Sequence, residues 1–115
     1  MGNLFQVTDP RGIIVTCSIE QWNEHITPTK QIMIGNEQAV QNSLVLPDVI
    51  YGSDECPNRD VYFKHDSGAT YSSKLYTKVV VEICGNQGTV ITSFPKEDIS
   101  GNINLKELKY VKPKL

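Results

Sequence analysis

The sequence predicts an α+β domain in which an antiparallel sheet stands behind an N-terminal helical region. Apolar residues recur at three- and four-residue spacing between Ser18 and Leu46, and from Asp48 the period changes to two. Helices come first and hairpin-connected strands follow, an order that places the helices on one face of the sheet.

Each element has its own signal. Gly12 to Cys17 (GIIVTC) is a β-branched run after the Asp9-Pro10 turn and reads as a strand. Ser18 with Gln21 three residues on is a capping-box pattern, opening a helix that stops near Thr27-Pro28. Ile19, Trp22 and Ile26 form its apolar stripe, with His25 beside the stripe at the C-terminal end. A second helix is expected over Glu37 to Leu46, burying Ala39, Val40, Leu44 and Val45 and ended by Pro47.

Strands are expected at Asp48 to Asp54, Arg59 to His65, Lys74 to Cys84 and Thr89 to Phe94. The turn Glu55-Cys56-Pro57-Asn58 and the loop Gly85-Asn86-Gln87-Gly88 join successive pairs. Alternation puts Val61 and Phe63 on the core face with Val79 and Val81. It leaves Tyr62, Lys64, Lys78 and Glu82 on the second face, open to solvent or substrate.

At 115 residues, with 39% apolar and 21% charged side chains, the chain suits one domain over 1–115. Its core is expected at about 13–103, with a lysine-rich tail over 104–115. No apolar run approaches the roughly 18 residues of a membrane span, and the first residues lack the pattern of a secretory leader. No membrane partner is expected. Cys17, Cys56 and Cys84 are odd in number and widely spaced, which points to a reducing cytoplasm. Cys17 and Cys84 read as small buried hydrophobes and Cys56 as an exposed turn residue.

The formal net charge is −2, so a long duplex held by its phosphates is disfavoured and a short RNA in a local pocket is retained. Phosphate-loop, dinucleotide, zinc-protease and serine-hydrolase motifs are absent. With only His25 and His65 available, neither a metal nor another cofactor is expected. The remaining polar groups suffice for metal-free RNA cleavage. Histidine transfers protons near neutral pH, while Arg and Lys hold phosphate charge.

The strings VTCSIEQWNEHI, LPDVIYGSDECPNRDVYFK and LYTKVVVEICGNQGTVITSFP resemble the phage-associated branch of the barnase–EndoU–colicin–RelE-like nuclease superfamily. The resemblance implies N-terminal helices packed on a four-stranded antiparallel sheet. It also implies a toxin or phage effector that cleaves RNA, tRNA or mRNA for example, to a 2′,3′-cyclic phosphate, with an antitoxin or immunity protein as partner. Carried over by position, His25, Arg59, Lys78 and Thr92 are the expected catalytic residues. Lys30, Tyr62, Lys64 and Ser93 are the expected substrate-binding residues. Lys30 stands where similar sequences place a second histidine, and lysine is a poor base at neutral pH. A binding module without the chemistry is therefore the alternative. A structural domain pairing through a sheet edge is a third reading.

Overall fold

A computed structural model describes residues 2–113. Ten elements follow one another: β1 (Asn3–Thr8), β2 (Ile14–Ser18), a π-helical turn (Gln21–Ile26), a 3₁₀ turn (Gln31–Met33), α1 (Glu37–Val45), β3 (Val49–Ser53), β4 (Arg59–His65), β5 (Tyr76–Cys84), β6 (Gln87–Lys96) and β7 (Ile103–Val111). The seven strands form one mixed sheet in the order β1-β2-β6-β5-β4-β3-β7. Every neighbouring pair is antiparallel except β2 and β6, which run parallel from Ile14↔Gln87 to Thr16↔Thr89.

The expected four-stranded sheet behind two leading helices is overturned. A hairpin, β1-β2, precedes the helical segment, and α1 is the one α-helix among the described residues. Asp9-Pro10 is the turn of that hairpin: Asp9 N donates to Ile13 O at 2.9 Å and Gly12 takes φ +89. The expected tail is largely strand β7, paired with β3 from Val49↔Val111 to Ser53↔Ile103. Lys114 lies outside the described residues. β7 is an edge strand with two register breaks, at Ile50/Tyr51 and Tyr51/Gly52. Its lysines and irregularity are the devices that blunt an edge against further pairing.

The first helical segment is π-wound, Thr27 N donating to Trp22 O at 3.0 Å. Half of the expected capping box forms: Gln21 N donates to Ser18 Oγ at 2.9 Å, but the Gln21 side chain donates to Ile91 O instead of closing back on Ser18. The winding buries Trp22 and Ile26 and leaves Ile19 44% exposed. Trp22, Ile26, Met33, Val40 and Leu44 pack from the helical side onto Phe5, Val15, Ile50, Tyr62, Val79, Val81 and Val90 of the sheet. No helix among the described residues is long and apolar enough to cross a membrane.

β4 reverses the predicted facing. Tyr62 pairs with Val79 and so looks into the helix-covered core, while Val61 and Phe63 look the other way with Val80 and Lys78. Four consecutive residues, Asp60 to Phe63, are buried, so both faces of this strand are covered and alternation alone does not tell which is which. Tyr62 tolerates the core because its hydroxyl is satisfied. It donates to Asp9 Oδ2 at 2.7 Å and accepts from Arg11 Nη2 at 3.0 Å.

Candidate functional site

The second face holds a cleft of about 130 Å³ whose lining includes Glu55, Arg59, Val61, Lys78, Thr92 and Phe94. A bulge in β6 builds it. Val81 pairs with Val90 and Val80 with Thr92, leaving Ile91 as the extra residue. Without it Val90 and Thr92, two apart, would share a face. With it Val90 enters the core while Thr92 and Phe94 turn to the cleft. Gln21 Nε2 donates to the bulge carbonyl, Ile91 O, at 2.6 Å, so the π-helical turn supports the bend. Bulges commonly re-aim side chains in this way.

Cations collect around Phe94. Lys30 Nζ stands 5.1 Å and Lys78 Nζ 5.3 Å from its ring centroid, and Lys78 Nζ also lies 5.7 Å from the Phe63 ring. Lys78 is 3% exposed. It donates to Ser100 O at 3.2 Å and Gly101 O at 2.6 Å, which ties the β6–β7 connection over the face and leaves one ammonium proton over. The Lys78 and Lys96 ammoniums both lie within 3.5 Å of the point where a Cβ on Gly101 would stand. Arg59 lines the cleft with its Nε buried and unpartnered. Among the described residues none of these four cations makes a salt bridge.

Desolvation, then the charge of Lys96, lowers the Lys78 pKa from 10.5; Asp54 and Glu55 oppose the shift. The sign for stability follows. Below the lowered pKa the ammonium is protonated in both states and its burial penalty is complete. Between that pKa and 10.5 the unfolded chain holds more protons, so this residue's contribution to stability rises with pH. For an anion in the cleft the sign is opposite. Affinity is expected to fall with pH before 10.5, where an ordinary lysine titrates, and a binding titration from pH 7 upward in wild type and Lys78→Met checks it. A flat profile in wild type, or the same fall in Lys78→Met, would contradict the assignment.

Three of the four expected catalytic residues, Arg59, Lys78 and Thr92, line this one cleft. His25 does not. It is on the exposed side of the π-helical turn, away from Trp22 and Ile26, which point into the core. Of the expected substrate-binding residues, Lys30 reaches the cleft's edge at Phe94. Tyr62 and Ser93 are core residues, Ser93 donating to Lys78 O at 2.8 Å. Lys64 donates to Leu46 O at 2.8 Å, at the end of α1. Glu82 accepts from Asn58 Nδ2 at 3.1 Å.

Lys96, Phe94 and Glu55 were not anticipated. Pro95 hides Lys96, since it reads as the end of a strand that in fact continues to Lys96, while Phe94 reads only as the last residue of that strand. Glu55 sits in what reads as a plain turn. All three cysteines are free. Burial pushes the Cys17 thiol up to about 11, and Cys84 is exposed rather than buried. Among the described residues no group of three or more His, Cys, Asp or Glu is placed to hold a metal ion.

A second polar cluster lies on the helix-covered face and is structural. Asp9 and Arg11, from the β1-β2 turn, meet Asp60 and Tyr62 of β4. Lys109 of β7 closes on Asp60 Oδ1 at 2.7 Å. Both carboxylates and both cations are paired, and the cluster clips the first hairpin to the far end of the sheet. No family model, no curated protein and no solved structure matches the chain.

Proposed function

We propose that the domain binds RNA by seating a backbone or terminal phosphate in the β4–β6 cleft, and that it does so without cleaving it. One observation supports this most. In a chain of net charge −2, Arg59 and Lys78 line one cleft and Lys30 and Lys96 stand beside Phe94 and Gly101 respectively, none of the four with a salt-bridge partner among the described residues. Cations without partners draw anions, and the Thr92 hydroxyl and the Arg59 fork supply directional donors. RNA is the strand named because the sequence resemblance implies it. Three free cysteines suit a reducing cytoplasm.

Cleavage needs a base for the 2′-hydroxyl and an acid for the leaving oxygen, and His25 is not among the cleft's residues. A cleaving domain is the second reading, favoured by Glu55, a carboxylate in the cleft beside Arg59. Fluorescence anisotropy with a single-stranded RNA separates the readings. Arg59→Ala is expected to weaken binding about tenfold or more and to reduce the salt slope by about 1. RNA incubated with the protein in chelator is expected to stay intact. Unchanged affinity in Arg59→Ala would sink the binding site, and cyclic-phosphate ends lost in Glu55→Gln would favour the second reading.

A further inference from the structure

We infer that β1 pairs with β1 of a second copy of this chain, antiparallel about a two-fold axis, and so joins two sheets edge to edge. The sheet has two edges, and they are built differently. β7 carries lysines and two register breaks. β1, NLFQVT, has no charged residue and no proline, so it lacks the devices that keep an edge from pairing. Its one irregularity falls between Asn3 and Phe5, and the stretch from Phe5 to Thr8 is regular.

The hydrogen bonds of the first hairpin fix which groups of β1 point outward. Asp9 N donates to Ile13 O at 2.9 Å, and Ile14 N donates the other way, to Asn86 O, at 2.9 Å. Odd-numbered residues of β2 therefore turn their backbone groups to β1, and even-numbered ones turn theirs to the β6 side. The register is Phe5↔Cys17, Gln6↔Thr16, Val7↔Val15 and Thr8↔Ile14. Phe5 and Val7 thus bond to β2, while Gln6 and Thr8 present N–H and C=O to the free edge. Both residues are exposed, and no loop or cap bond reaches their backbone among the described residues.

A second copy fits because this edge is complementary to itself. With the axis through Val7, Gln6 of one copy stands against Thr8 of the other, and the reverse. Each such pair exchanges both N–H···O bonds. Val7 meets Val7 of the second copy on the core face, which extends the apolar row begun by Phe5 and Val7. The pairing stops at the same place on both sides. Leu4, at the irregularity, falls opposite Pro10 of the second copy, which has no N–H to give. Asp9 is the one charged residue along the seam, and its carboxylate is buried and paired within its own copy.

Sedimentation equilibrium of the full chain, from roughly micromolar to millimolar concentration, is expected to show the mass rising from one chain to two. Gln6→Pro removes an N–H that bonds nothing within one chain, so circular dichroism should be unchanged while dimerisation weakens at least about tenfold. Gln6→Lys combined with Thr8→Lys sets like charges across the seam, and so does Gln6→Glu combined with Thr8→Glu. Each double variant should be monomeric, and an equal mixture of the two should restore a dimer of unlike chains. A wild type that stays monomeric throughout overturns the inference. It does so even if a synthetic peptide of residues 3–8 binds, a result that would make the edge a site for another protein's strand. A dimer that survives in the lysine double variant, or a mixture that stays monomeric, overturns pairing through β1.

Discussion

Asp9→Ala is expected to lower the unfolding free energy by about 3–5 kcal/mol, against the roughly 5–15 kcal/mol that small domains hold in total. The Asp9 side chain is fully buried. It accepts five hydrogen bonds: from Arg11 N, Arg11 Nε, Arg11 Nη2, Ile13 N and the Tyr62 hydroxyl. Alanine removes the acceptor from all five donors at once and leaves the Tyr62 hydroxyl proton without an acceptor in the core, its oxygen still accepting from Arg11. It also strips Arg11 of one of its two carboxylates. Losing one partner of a buried charge network costs more than the network itself contributes, because the remaining charge stays desolvated. A urea titration measures the effect as a fall in midpoint at unchanged slope. Lys109→Met should cost less, since Lys109 keeps about a third of its side chain exposed and Asp60 retains Arg11. A midpoint shift in Asp9→Ala no larger than in Lys109→Met would show that the hairpin is held by its apolar contacts alone.

That network also shows where the sequence stops being readable. Asp9-Pro10 is legible as a turn, yet nothing in it tells that the carboxylate will be bound by a tyrosine 53 residues away. β1 is missed because Asn3 to Thr8 is short and follows no turn signal, and β7 because its lysines look like a solvated tail. Both are edge strands, where one side of the backbone and most side chains face water and the apolar signal is thin. The long β5 was legible for the opposite reason. Its alternation is fixed by Val79 and Val81 on one side and by Lys78, Val80 and Glu82 on the other. At the candidate site, Arg59, Lys78 and Thr92 are expected and Lys96 is not, because Pro95 reads as the end of a strand that continues to Lys96; the facing of Thr92 itself depends on a one-residue bulge at Ile91. A bulge leaves no mark in hydrophobic period.

The facing of β4 gives the second large effect, and two substitutions read it out. With Phe63 in the helix-packed core and Tyr62 toward solvent, as alternation alone implies, Tyr62→Phe would be nearly neutral. In the structure it removes the hydroxyl that donates to Asp9 and accepts from Arg11, and about 1–3 kcal/mol of stability should go with it. Phe63→Ala is expected to cost about 3–5 kcal/mol, since Phe63 is fully buried and meets Tyr76 edge-on at 6.4 Å. The diagnostic part is functional. Phe63 lies beneath the Lys78 ammonium on the cleft side of the sheet, so its removal frees Lys78 from one of the two rings that seat it. Phe63→Leu, which keeps most of the volume and the fold, should therefore weaken RNA binding several-fold, while Tyr62→Phe should leave binding unchanged at temperatures where it stays folded. Loss of affinity in Tyr62→Phe with none in Phe63→Leu would mean that the functional face is the helix-covered one, and the cleft would no longer be the site.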